Sequence, residues 1–158
     1  MTISLTVGTN TYISLSDANT YFSKTFKAST WSALSDDNKS IALLEACKKM
    51  EQLQYIGIKQ SDSQALEFPR NFGNPLTYGA SEYDGTPQDV KNAQCELALY
   101  LYTNLNNKVN ELRQNGIKSM SLGNESYSFV DNYNGYDINS PECLEYLNKW
   151  LQKGFKVC

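Results

Sequence analysis

Residues able to do chemistry are scarce in this chain, and the first restriction is an absence: it contains no histidine. Without one, Ser-His-Asp and Cys-His nucleophile systems and every His-containing zinc site are excluded. The four cysteines, Cys47, Cys95, Cys143 and Cys158, form no Cys-x-x-Cys pair, and although the first three are evenly spaced, their surroundings share no common frame. Cys47 and Cys95 fall on apolar helical faces, where a free thiol acts as a small hydrophobe; Cys158 is expected to be exposed. Asp36, Asp37, Asp62, Glu82 and Asp84 could supply paired carboxylates, but each sits in a cap or loop with no apolar pocket implied beside it, the pattern of a solvated face. Asp131–Glu142 has the length of a calcium loop, yet Tyr133 and Gly135 stand at ligand positions and Tyr136 at the glycine position. Neither G-x-x-x-x-G-K-[ST] nor G-x-G-x-x-G occurs, so the usual phosphate cradles are missing. The residues offer no catalytic group, no metal site and no cofactor site.

Two basic-aromatic combinations remain. Lys48-Lys49 with Tyr55, or Arg70 with Phe68 and Phe72, could stack on single-stranded bases beside a cation. Alternatively, Phe68 plugs its ring into a helical core while Arg70 pairs with a neighbouring acid, and the charge balance favours this second reading. Lys and Arg number 14 against 17 Asp and Glu, a net charge of −3 with a pI near 5.0. That balance argues against a general nucleic-acid-binding face, so any DNA contact has to be local. Eleven tyrosines lean toward a binding protein, because Tyr joins a large contact area to a polar tip.

The elements that position these residues are mainly helical. At 158 residues, 41% hydrophobic and 20% charged, the chain reads as one soluble domain, able to bury about 70% of its unfolded surface. Met1–Leu15 has neither a basic region nor a long apolar run, and no segment approaches a membrane span, so the expectation is a protein made in a reducing cytoplasm. Residues 1–15 read as an extended arm or a hairpin around Gly8-Thr9-Asn10. Residues 16–56 carry two helices: one opening at Ser16 with Ala18, Tyr21, Phe22 and Phe26 on its apolar side, and one from Asp36 to Gln54, capped at Ser35, with Leu43, Ala46, Cys47, Met50 and Leu53 in a stripe. Residues 59–85 lack an apolar face and read as a long loop, functional or mobile. Thr86 as N-cap, Pro87 at the first helical position and Asp89 in a capping box predict a third helix over 86–115, with Val90, Ala93, Leu97, Leu101 and Leu105 inward. Alternation around Gly123-Asn124 predicts a hairpin over 117–130. After a polar linker, Ser140-Pro141-Glu142 opens a last helix over 140–153. The fold class is a small helical bundle with an appended β-hairpin and a C-terminal helix.

The last third is richer in apolar residues than a three-helix core requires. Met120, Leu122, Tyr127 and Phe129 on the hairpin, with Leu144, Leu147, Trp150 and Leu151 on the last helix, are therefore candidates for an assembly interface. The competing reading is that the last helix covers the hairpin within one subunit.

Several segments follow, in order, the pattern of a known family. Gly8-Thr9-Asn10-Thr11-Tyr12-Ile13-Ser14-Leu15-Ser16-Asp17-Ala18-Asn19-Thr20-Tyr21-Phe22 resembles G-T-N-x-Y-[VI]-S-[VL]-x-[DE]-A-[DN]-x-Y-[FL]. Trp31-Ser32-Ala33-Leu34, Ile41 to Ala46, Gln64-Ala65-Leu66-Glu67-Phe68-Pro69-Arg70 and Thr86-Pro87 with Val90 to Ala93 continue it. The chain is similar, over roughly residues 8 to 105, to the tailed-phage head-tail connectors, also called adaptors or head-completion proteins, some of which carry the label DnaT-like single-stranded-DNA-binding protein. The resemblance implies a virion protein made in the bacterial cytoplasm and located at the head-tail interface. It further implies a homo-oligomeric ring, a dodecamer, joining the portal protein to a tail-completion or stopper protein. Genomic DNA would pass through the lumen without sequence specificity, and no membrane, cofactor or catalytic residue is involved. It makes Tyr12, Tyr21, Trp31, Phe68, Pro69 and Arg70 structural motif residues. The Asn- and Tyr-rich stretch after Phe72 departs from the family pattern. The alternative function is single-stranded DNA binding, separated from the connector by charge: a binding groove collects Lys and Arg, whereas a conduit can be acidic.

Overall fold

The computed structural model describes residues 3–72, 85–105, 119–122, 125–128 and 138–152. These residues form a mainly α fold: helices α1 (Leu15–Ser23), α2 (Ala28–Ser32), α3 (Asp36–Met50), α4 (Gln88–Thr103) and α5 (Pro141–Leu147), with two-stranded antiparallel ribbons β1 (Ile58–Lys59) with β2 (Arg70–Asn71) and β3 (Ser119–Leu122) with β4 (Glu125–Ser128). From Ala93 to Leu99 every residue of α4 is buried, including Gln94 and Glu96. A helix buried all round is the centre of its domain; α3 and α5 pack against it, and α1 touches both α3 and α4.

Helix starts follow side-chain chemistry. Ser35 accepts from the Asn38 amide at 3.3 Å, with Asp36 and Asp37 in the first turn facing the positive end of the helix. Ser140 accepts from the Cys143 amide at 3.4 Å, with Pro141 and Glu142 behind it. Helix α1 begins earlier than Ser16: Ser14 is its cap, accepting from the Asp17 amide at 3.1 Å and donating to the Asp17 carboxylate at 2.7 Å. The capping box expected at Thr86 is absent. Pro87 occupies the cap position with no side-chain bond, and its carbonyl accepts from Val90 and Lys91.

Helix ends differ more from the expected ones. Helix α1 stops at Ser23 because the Thr25 amide and hydroxyl both turn back to the Phe22 carbonyl. Phe26 thereby leaves the apolar side expected for it and stands wholly in water. The unexpected short helix α2 stacks Trp31 on Phe22 (4.4 Å between centroids, 26° between planes), and the indole donates to Asn19 at 2.8 Å. Helix α4 is capped at Asn104, so Leu105 lies past the helix and is exposed; residues 106–115 of the expected helix are outside the described residues. Helix α5 ends at Leu147 because the following chain is drawn into extended pairing: Ile56 donates to the Trp150 carbonyl and Gln152 to the Gln54 carbonyl, both at 2.9 Å, around a Tyr55–Leu151 bridge.

The N-terminal segment turns at Gly8-Thr9-Asn10, where a bridge joins Val7 to Thr11. Asn10 ties it into a compact loop, its carbonyl oxygen accepting from the Thr6 amide at 2.7 Å and its amide donating to the Ser4 carbonyl at 3.1 Å. Thr11, Tyr12 and Ile13 then enter the core. The expected loop at 59–85 begins as the β1–β2 ribbon, in register Ile58 with Asn71 and Lys59 with Arg70. Gly57 opens it at φ +77°, where a Cβ would collide with the Asn71 carbonyl. Residues 73–84 lie outside the described ones. The expected hairpin forms, with Met120 opposite Tyr127 and Leu122 opposite Glu125.

Candidate functional site

The polar residues of the buried helix α4 each need partners, since an unpaired buried amide or carboxylate is costly. Gln94 finds three. Its oxygen accepts from the Tyr12 amide at 2.9 Å, and its nitrogen donates to Thr11 Oγ1 and to the Leu43 carbonyl, both at 2.8 Å. Gln94 thus docks the N-terminal segment onto α3 and α4. The Tyr12 hydroxyl continues the network, donating to Glu51, whose other oxygen accepts from the Glu67 amide at 2.9 Å; the Phe68 amide reaches the Tyr12 oxygen at 3.4 Å.

Phe68 is the plug of this arrangement. Its ring meets Tyr12 at 6.0 Å, Tyr55 at 4.8 Å and Trp150 at 6.0 Å, each edge to face, and a cis Phe68–Pro69 bond follows it. Arg70 locks the segment: Nε donates to the Ile56 carbonyl at 2.9 Å, Nη2 to those of Gly57 (2.6 Å) and Tyr55 (3.3 Å), and Nη1 to the Glu67 carboxylate. A guanidinium provides this planar set of donors and an ammonium does not. Of the expected motif residues, Tyr12, Phe68, Pro69 and Arg70 meet in this one construction, while Tyr21 and Trp31 belong to a second.

The second construction surrounds Glu96. It accepts from the Tyr21 hydroxyl at 2.8 Å and pairs with Lys27, which also reaches Glu142 at 3.3 Å; the Tyr21 and Tyr146 hydroxyls lie 3.3 Å apart. These contacts tie α1, α4 and α5 together beside the Phe22–Trp31 stack. Burial, then hydrogen bonding to Tyr146 and Glu96, pushes the Tyr21 phenol well above its ordinary range; burial and Glu51 do the same for Tyr12. Both phenols are donors and stay protonated. Burial also raises the Cys47 and Cys143 thiols to about 12, and pushes Cys95 up in the same direction. Thiols so held are packing groups, not nucleophiles. Among the described residues no three His, Cys, Asp or Glu side chains converge as a metal site would require, and no helix is long and apolar enough to cross a membrane.

Neither basic-aromatic combination weighed from the sequence forms a stacking platform, and the favoured alternative, Phe68 in the core with Arg70 paired to an acid, is what the structure contains. Tyr55 is buried with its hydroxyl on the Met50 carbonyl, Phe72 is half-buried against Trp150, and Phe68 is inside. Most cations among the described residues are engaged by the chain's own acids: besides Lys27, Lys39 with Asp36, Lys48 with Glu45, Lys59 and Arg70 with Glu67, and Lys149 with Asp89. The candidate assembly residues divide. Leu147, Trp150 and Leu151 are spent on the subunit's own core, which removes them from an exposed interface, and Leu144 is half-buried against that core. Met120, Leu122 and Tyr127 lie on the β3–β4 ribbon, and Phe129 is outside the described residues. One exposed group was missed from the sequence. Phe26, assigned to a helix face, stands fully in water. The signal that could have found it is the Ser23-Lys24-Thr25 run ahead of it, which ends the helix.

Fold and contacts together define a small mainly α domain, knit around one buried helix whose polar residues hold the surrounding segments. The chain belongs to the family described as "Putative DnaT-like ssDNA binding protein", whose model matches residues 2–157. No curated protein and no solved structure matches it.

Proposed function

We propose that the protein is a non-enzymatic single-stranded DNA-binding protein making a local contact with its strand. The observation that carries this reading is the family match over nearly the whole chain. The charge pattern determines the form of the contact. With a net charge of −3 and most described cations held by internal acids, one subunit can neutralise few phosphates, so base stacking has to supply most of the affinity. The test is an anisotropy titration of a labelled oligodeoxythymidylate across a salt series. For one or two phosphates the expected slope of log affinity against log salt is about −1, from a coefficient of about −0.7 per phosphate on single strands. Absence of binding at low salt would reject the reading, and a slope several times steeper would reject the stacking-dominated form.

A second reading has specific support. The resemblance of the opening and of the Gln64–Arg70 element to head-tail connectors, with the engagement of cations by internal acids, fits a ring that bridges portal and stopper proteins in a virion and lets DNA slide. Electron microscopy of the protein, alone and with a portal protein, tests it: closed rings favour the connector, and a monomer that binds DNA favours the first reading.

A further inference from the structure

We propose that the turn from Lys24 to Lys27 is the single-stranded DNA contact, with Phe26 as the surface on which a base stacks and Lys24 as the phosphate partner. The proposal rests on the DNA-binding reading above and names its site. Three observations carry it. First, Phe26 stands at 109% of its reference exposure, whereas the neighbouring aromatics Tyr21, Phe22 and Trp31 are buried or half-buried. Second, the turn is held in shape. The Lys24 amide donates to the Tyr21 carbonyl at 3.3 Å, the Thr25 amide to Phe22 at 2.9 Å, and the Ala28 amide to Thr25 at 3.2 Å. The Thr25 hydroxyl accepts from the Lys27 amide at 3.2 Å, and the Phe22–Trp31 stack lies beneath. A ring presented on a fixed turn loses little freedom on binding. Third, this acidic chain has no Asp or Glu between Asp17 and Asp36. That stretch is instead rich in hydroxyls, with Thr20, Ser23, Ser29 and Thr30 all exposed. Lysine and Ser/Thr hydroxyls are the ordinary partners of phosphate oxygens. Lys27 is already balanced by Glu96 and Glu142, so the charge offered to a strand is that of Lys24, which makes no ion pair among the described residues.

The experiment titrates a fluorescein-labelled oligodeoxythymidylate with the full chain and its Phe26→Ala, Phe26→Trp and Lys24→Glu variants. Phe26 lies outside the core, so the fold is expected to survive its replacement, which circular dichroism verifies. The expected result is an affinity loss between about fivefold and a hundredfold for Phe26→Ala, the range for one stacked base, with a smaller loss for Lys24→Glu. In Phe26→Trp the new indole is exposed while Trp31 and Trp150 are buried, so quenching on oligonucleotide addition reports stacking directly. If the unaltered chain binds but Phe26→Ala binds equally well, the site assignment is overturned while the DNA-binding reading stands. If the unaltered chain does not bind, both fall. If Phe26→Ala leaves DNA affinity unchanged and lowers self-association in sedimentation, Phe26 is a protein contact and the proposal is wrong.

Discussion

Deleting the chain from Ser140 onward distinguishes a core role for the last helix from an interface role. The deletion removes Cys143, Leu147, Trp150 and Leu151, each at most 7% exposed, and uncovers the Trp150-facing edge of Phe68. Burial of a large apolar side chain is worth about 2 kcal/mol, and extended-chain bookkeeping overstates it. Together these side chains contribute about 5 to 8 kcal/mol, before counting the two backbone bonds to Gln54 and Ile56. Whole domains are stable by only about 5–15 kcal/mol. The truncated chain is therefore expected to lose cooperative unfolding and near-ultraviolet circular dichroism. The milder Trp150→Ala should cost about 3–5 kcal/mol and keep the chain folded enough for a urea titration. A truncated chain that melts cooperatively near the parent temperature, and a Trp150→Ala variant within about 1 kcal/mol of the parent, would refute the core assignment and return these residues to the assembly surface.

Three further outcomes follow from the networks around α4. Gln94→Leu keeps the side chain's size but orphans the buried Tyr12 amide and removes two more bonds, so urea titration should read a loss of about 3 kcal/mol; a loss under about 1 kcal/mol would mean that the network adds little. Arg70→Lys gives up the fork to three carbonyls and should cost about 2 kcal/mol of stability without changing the DNA affinity of the folded protein, whereas lowered affinity would make Arg70 a DNA contact. Burial raises the Glu51 carboxyl above its ordinary 4.5. The native state therefore keeps a proton that the unfolded state has lost, and stability falls as pH rises from 4.5 through the raised value. Melting temperatures of the parent chain should accordingly fall relative to Glu51→Gln between pH 4 and pH 7, and a constant difference would contradict the direction.

What the sequence made legible was local chemistry. Ser35 and Ser140 announce their helices because a hydroxyl ahead of an acidic first turn has a fixed partner, and Gly123-Asn124 marks the hairpin because few residue pairs suit so tight a connection. Periodicity failed where helices end, since the apolar phase continues on paper through Phe26 and Leu105 after the backbone has turned away. The two-residue strands β1 and β2 are too short to alternate. Gln94 and Glu96 passed unnoticed for a different reason: a polar residue reads as exposed until the helix carrying it proves to be central. Glu51 was missed alike, although it joins Tyr12 to the Glu67–Arg70 segment, elements far apart in the chain.

These networks explain how a family pattern can be specific without being a ligand site. Tyr12, Phe68 and Arg70 are tied by geometry that few substitutes satisfy, because a phenol, a flat ring and a planar five-donor group are each used for their shape. The pattern therefore marks the scaffold, and binding specificity is left to surfaces the pattern does not determine, such as the Lys24–Lys27 turn proposed above. One aromatic and one lysine make a weak contact in a single subunit. Copies that meet the same strand multiply it through effective concentration, provided their spacing lets them engage together. Affinity that rises with oligonucleotide length would mark such repeated engagement, while a ring that lets DNA slide needs each contact to stay weak. Oligomeric state and length dependence, measured on the same preparation, are thus the pair of observations on which the DNA-binding and connector readings separate.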